Sequence, residues 1–129
     1  LIEKLEQSGA IEGYSARVSA AAVGRSTLAF VHVSLTEHTL AVHQAFLRHV
    51  VTLDDVIEVH HIAGDQDFLL KVVVRDIAAF EAFILHRLPT PTSGVGRISS
   101  TFVLSSARDR GPIPIDDPPS AIRNEEARR

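Results

Sequence analysis

Between Thr27 and Ser106 the apolar positions change period in a definite order. Leu28 to Leu35 alternates, with Ala29, Val31, Val33 and Leu35 on one face and Leu28, Phe30 and His32 on the other, which is the period of a strand. Thr36 and Thr39 are N-cap candidates for a helix reaching about Val50, whose apolar stripe is Val42, Phe46 and Val50 with Leu40 and Leu47 beside it. Asp54-Asp55 breaks that pattern. Val56 to Ala63 and Phe68 to Arg75 are two β-rich runs joined across Gly64-Asp65-Gln66-Asp67, a spacing and chemistry suited to a hairpin. Asp76 then caps a second helix with the stripe Ile77, Phe80, Ile84 and Leu88, stopped by Pro89-Thr90-Pro91, and Ile98 to Ser106 is the last strand.

The order β-α-β-β-α-β predicts an α+β, ferredoxin-like domain: a four-stranded antiparallel sheet with two helices on one face, the dimeric α+β barrel type. Two helices cover only one face of such a sheet. Yet Leu28 and Phe30 oppose Ala29 and Val31, and Leu69 and Val73 oppose Leu70, Val72 and Val74, so the uncovered face is apolar as well. An apolar face of that size is a contact surface, and a homodimer or larger assembly is expected to bury it.

The flanks differ in character. Residues 1–24 begin with Leu1, Ile2 and Leu5 at helical spacing, stopped by Ser8-Gly9, and continue through a looser alternation at Ile11, Tyr14, Ala16 and Val18 that suits a short strand or an extended linker. Residues 25–106 form the domain proper. Residues 107–129 hold four of the six prolines and no aromatic residue, so this arm has nothing from which to build a core and is expected to lie on its own domain or on a neighbour.

Composition narrows the class. With 129 residues, 45% of them hydrophobic, the chain suffices for one folded domain. No apolar run approaches the ~18 to 20 residues of a membrane span, and the start lacks the order of a signal peptide, so a cytoplasmic protein is expected. The absence of cysteine excludes disulfides, thiol nucleophiles and thiolate metal sites. The absence of methionine implies that the chain has lost its original start. A net charge of −3 with no basic stripe argues against nucleic-acid binding by these residues alone.

The motifs, taken in order, resemble a family. Leu5-x-x-x-Gly9-Ala10-Ile11-x-Gly13-Tyr14-x-Ala16-x-Val18, followed by Gly24 and Ala29-Phe30-Val31-x-Val33-x-Leu35, is similar to the junction between the DNA-reading helix and the regulatory domain of Lrp/AsnC (leucine-responsive/asparagine-responsive) transcription regulators. Val56-x-Glu58 before Ala63-Gly64-Asp65-x-Asp67-Phe68-Leu69-Leu70-x-Val72 resembles the family's Gly-[Asp/Glu]-Tyr-Asp-Tyr hairpin, and Ser100-Thr101-Phe102-Val103-Leu104 resembles its closing strand. The resemblance covers about Leu1 to Ala107. It implies a sensing and assembly domain that dimerises through its sheet, commonly builds octamers, and binds small effectors, usually amino acids, near the hairpin at contacts between dimers. DNA would be read by an N-terminal helix-turn-helix, of which Leu1 to about Ser8 is the tail.

An amino acid is a zwitterion and needs an acceptor for its ammonium and donors for its carboxylate. The segment Gly64, Asp65, Gln66, Asp67 and Phe68 can supply both: Gly64 permits a positive φ and close backbone approach, backbone N–H groups in the turn can face the carboxylate, and Asp67 is placed to receive the ammonium. Ser100 could add a hydroxyl, and His61 and Ala63 share a face at the end of the preceding strand. The same Gly-Asp-x-Asp run is also simply a hairpin turn whose Asp side chains cap backbone N–H groups. Gln66 and Phe68 stand where the family often has tyrosines.

Seven histidines raise the question of a metal, but their spacing speaks against one. His38 and His43 are five apart, adjacent His60 and His61 point to opposite faces of a strand, and Glu58 with His60 supplies only two ligands on one face. No metal and no cofactor is expected. The alternatives from other classes are a small ferredoxin-like enzyme of monooxygenase or isomerase type, with His61 near Asp67 as the nominated pair, and a freestanding sensor module; the expected reading is a regulator, not an enzyme.

Overall fold

In a computed structural model of the chain, residues 1–64 and 67–115 are described. Their elements run α1 (Ile2–Gln7), β1 (Thr27–Leu35), α2 (Leu40–Val50), β2 (Val56–His61), β3 (Phe68–Val74), α3 (Ile77–Ala82), a π-helical turn (Phe83–Arg87) and β4 (Val95–Phe102). The chain divides into two units: Val18–Ser106, and Leu1–Arg17 together with the chain from Ala107 onward.

In the larger unit the sheet is antiparallel throughout, in the order β2-β3-β1-β4. The alternation read in the sequence sets its faces. Ala29, Val31, Val33 and Leu35 of β1 and Phe68, Leu70, Val72 and Val74 of β3 are buried beneath Phe46 and Val50 of α2 and Phe80, Phe83 and Leu88 from the second helical segment. Both helices therefore cover one face, as the α+β reading expects. The other face carries Leu28, Phe30, Leu69 and Val73, of which the first three are only half-buried.

Of the two candidates for α2, Thr39 is the N-cap and Thr36 is not, and Asp76 caps the second helix as expected. Thr39 Oγ1 accepts from Val42 N–H at 3.2 Å and Asp76 Oδ1 from Ala79 N–H at 2.8 Å, each satisfying a first-turn donor that the helix leaves unpaired.

Three details depart from the period-based reading. The stripe of the second helix shifts because Leu88 N–H bonds to Phe83 O at 2.9 Å, a π-type turn that accommodates one extra residue. Phe83 thereby enters the core with Phe80 and Leu88, while Ile77 is 60% exposed. In α2, Leu40 is exposed at the first turn, beyond the reach of the sheet. Strand β4 begins and ends earlier than Ile98 to Ser106, because its partner β1 stops at Thr27; Val103 N–H still bonds to Leu28 O, and Leu104 is then exposed.

Gly94 leads into β4 with φ +74°, a backbone state that disfavours any side chain. A Cβ there would lie 2.5 Å from Val42 Cγ1. Gly94→Ala is expected to destabilise the domain by about 1 to 2 kcal/mol, read as a lowered urea midpoint.

In the smaller unit, α1 ends at Ser8 with Gly9 at φ +84°, as the sequence stop predicts. Residues 10–18 form no strand, so the short strand of the sequence reading is absent there. Tyr14 Oη donates to Glu6 Oε1 at 2.5 Å, and Arg17 pairs with Asp109 of the C-terminal arm at 3.0 Å. The part of the arm from residue 116 on lies outside the described residues.

Candidate functional site

The register Val33↔Phe68 brings the end of β1 beside the start of β3, so the β1–α2 connection and the β2–β3 hairpin meet at one end of the sheet. Asp67 ties them together. Its backbone N–H donates to Val33 O and its carbonyl accepts from Ile62 N–H, both at 3.1 Å. Its carboxylate reaches across: Oδ2 accepts from Leu35 N–H at 2.7 Å, and Oδ1 lies 3.4 Å from His38 Nδ1.

Around this carboxylate opens a cleft of about 380 Å³, lined by Leu35, Glu37, His38, Thr39, Leu40, His43, His61 and Asp67. Its floor is aromatic. The Phe68 ring, 1% exposed, has its centroid 4.7 Å from that of Phe46, 5.0 Å from His43 and 5.2 Å from His61, and the two imidazoles meet edge to face at 5.0 Å. The cleft offers two carboxylates for a cation, imidazole and hydroxyl donors for an anion, and leucines for an apolar body. That mixture suits a small zwitterion.

The sequence-nominated residues divide accordingly. His61 and Asp67 line the cleft, and Phe68 supports it from the core. Gly64 has the anticipated positive φ, +124°, and is exposed on the hairpin with Ala63. Ser100 of β4 pairs with Val31 of β1, is separated from β2 by two intervening strands, and does not line the cleft. Asp65 and Gln66 lie outside the described residues. As a catalytic pair His61 and Asp67 are poorly matched, since Asp67 is partnered by His38 and the Leu35 N–H.

Glu37, His38, Thr39, Leu40 and His43 were missed. Their signal was topological: once β1 and β3 are neighbours, whatever follows β1 must face the hairpin. The five-residue spacing of His38 and His43 disqualified them only as ligands on one helix, and His38 precedes the helix.

On the uncovered sheet face, Glu58 is held by His60 Nε2 at 2.8 Å and by Lys71 Nζ at 3.3 Å. The hydrogen bond from His60, then Lys71, keeps the Glu58 carboxyl below its usual range despite the opposing effect of partial burial. His60 and His61 do face opposite sides of β2, paired with Leu69 and Phe68 respectively. Among the described residues no group of three or more His, Asp or Glu side chains could hold a metal, and no helix is long and apolar enough to cross a membrane.

Fold and cleft together define an α+β ligand-binding module. Residues 28–113 match the Lrp/AsnC ligand binding domain, and the chain belongs to the Lrp/AsnC family of transcriptional regulators. It is 34% identical over 114 residues to the Bkd operon transcriptional regulator of Pseudomonas aeruginosa, covering 88% of this chain and 74% of that protein. It is 32% identical over 108 residues to the leucine-responsive regulatory protein of Rhizobium meliloti, covering 84% and 69%. A transcriptional regulator from Neisseria meningitidis, solved as its L-Met complex, superposes with a TM-score of 0.81 at 27% identity over 89% of this chain and 73% of that one. The feast or famine regulatory protein of M. tuberculosis, complexed with L-methionine, gives 0.69 at 32% identity over 88% and 74%. These relatives are transcriptional regulators rather than enzymes.

Proposed function

We propose that this chain is the amino-acid-sensing and assembly part of a cytoplasmic transcription regulator, with the effector bound at the hairpin cleft. The observation that supports this is the Asp67 carboxylate, which keeps one oxygen on Leu35 N–H and turns the other toward a cleft with zwitterion chemistry. In this reading the ammonium sits on Asp67 Oδ1, the turn N–H groups after Gly64 approach the carboxylate, and Leu35 and Leu40 face the side chain. His61 and Ala63 stand beside the ligand, Asp65 and Gln66 are assigned to the same effector contact, Phe68 fixes the floor, and Ser100 of a neighbouring subunit completes the site. That two structural relatives were solved with L-methionine is consistent with an amino-acid effector.

Asp67→Asn separates recognition from folding. The amide oxygen still accepts from Leu35 N–H, but the negative charge is gone. Isothermal titration with a panel of amino acids is expected to give binding to the parent chain that falls at least tenfold in Asp67→Asn while the urea midpoint moves little. Silence of the parent assembly across the whole panel, or unchanged affinity in the variant, would defeat the proposal.

Assembly is the second part of the reading. The half-buried Leu28, Phe30 and Leu69 on the uncovered face support a homodimer closed sheet to sheet, with dimers joining into octamers and DNA contacted by helix-turn-helix segments N-terminal to Leu1. Phe30→Glu places a charge in the middle of that face and is expected to reduce the solution mass, measured by light scattering, to that of a monomer. A monomeric parent chain would overturn this part alone.

A further inference from the structure

A second cleft, of about 430 Å³, lies at the other end of the sheet, where β1 begins at Thr27 opposite Val74. Three guanidinium groups line it, those of Arg25, Arg75 and Arg87. Asp55, only 4% exposed, stands between two of them: its Oδ1 is 2.6 Å from Arg25 Nη1, and its Oδ2 is in contact with Arg87 Nη2. Arg25 Nη1 also donates to Val73 O at 2.9 Å, and the Arg87 guanidinium carbon lies over the Phe83 ring, 5.5 Å from its centroid. Both arginines are thus oriented by the fold, yet their side chains remain 44% and 46% exposed.

The charge does not close. Arg75 Nε is 3.5 Å from Asp76 Oδ2, so three cations meet two carboxylates and one positive charge is left facing the cleft. A guanidinium has five N–H donors, and the contacts named use a minority of them. Arginine forks of this kind suit a planar carboxylate held bidentately. Asp55 faces a guanidinium at each oxygen, Arg25 at Oδ1 and Arg87 at Oδ2, so an ammonium approaching it meets two cations first. Its rim is apolar, formed by Val23, which is 59% exposed.

We propose that this cleft is a second small-molecule site, taking a monocarboxylate on a short aliphatic body without an ammonium group. One unbalanced positive charge sets the ligand's charge, the guanidinium groups on either side of Asp55 discriminate against the ammonium of an amino acid, and Val23 receives the apolar body. It differs from the hairpin cleft in place and in chemistry: there the carboxylates face the ligand, and here the arginines do.

The test uses the full chain, isotopically labelled, titrated with 2-methylpropanoate while the amide resonances of Val23 and Gly24 are followed. A saturable shift is expected, weakened tenfold or more in Arg75→Glu and in Val23→Asp, neither of which touches the Asp55 pairs, and retained in Asp67→Asn. Valine, which adds an ammonium, and inorganic phosphate, which lacks the apolar body, are expected to bind there at least tenfold more weakly. Absence of a saturable shift, or a shift insensitive to both substitutions, overturns the site. Equal or tighter binding of valine or phosphate at these amides overturns the ligand class.

Discussion

Phe68→Ala is expected to cost about 3 to 5 kcal/mol of stability, the range for truncating a buried phenylalanine, and to abolish effector binding in whatever fraction remains folded. The ring is 1% exposed and stands at the centre of a cluster with Phe46, His43 and His61. It sits at the start of β3, paired with Val33 of β1 and His61 of β2, so its removal hollows the core where three strands and α2 meet. The cavity would open directly beneath the hairpin cleft, leaving the His43 and His61 imidazoles without the surface that orients them. Phe102→Ala is the control. That ring touches Phe80 at 4.8 Å between centroids but is 38% exposed at the end of β4, and its loss is expected to cost about half as much or less. Urea denaturation checks both values; equal losses would mean that Phe68 is not the keystone of the cleft.

The position of Phe68 also shows what the sequence could and could not reveal. Its alternation with Leu70 and Val72 marks a strand face, and the faces of β1 and β3 follow from period alone because only one of them is covered by helices. Resemblance to a tyrosine-bearing hairpin drew attention to Phe68 as a binding residue, whereas the register puts its ring in the core. Asp67 was legible as a residue of consequence, but its bond to Leu35 N–H was not, since no local pattern encodes a contact between residues 32 apart in the chain. The π turn was hidden for a related reason. A 3.6-residue period extrapolates Ile77, Phe80, Ile84 and Leu88 along one stripe, and only the fit of Phe83 against the sheet decides that the turn widens. Asp54-Asp55 read as a pattern break, which it is, but the two arginines that make Asp55 important lie 30 residues before it and in the π turn after it.

Those arginines make Asp55 the second residue whose loss should be severe. Asp55→Ala is expected to destabilise the domain by about 2 to 3 kcal/mol, since removing one partner from a buried ion pair leaves the others uncompensated. The value is set below the ~3 to 5 kcal/mol typical of fully buried pairs because Arg25 and Arg87 are nearly half exposed and regain water when released. Asp55 also accepts from Val73 N–H through its backbone carbonyl at 2.9 Å, a contact that any side chain at this position keeps. The loss therefore belongs to the carboxylate. Arg25→Met and Arg87→Met each leave Asp55 one guanidinium, so each single loss is expected to be smaller, about 1 kcal/mol. Once Asp55 is alanine, either change should cost little more, because the charge it neutralised has already gone. A double-mutant cycle over Asp55 and Arg87, read from urea midpoints, is expected to give a coupling of about 1 kcal/mol or more. Additive losses would mean that the three residues share a cleft without acting as one clasp between the start of β1, the α2–β2 connection and the π turn.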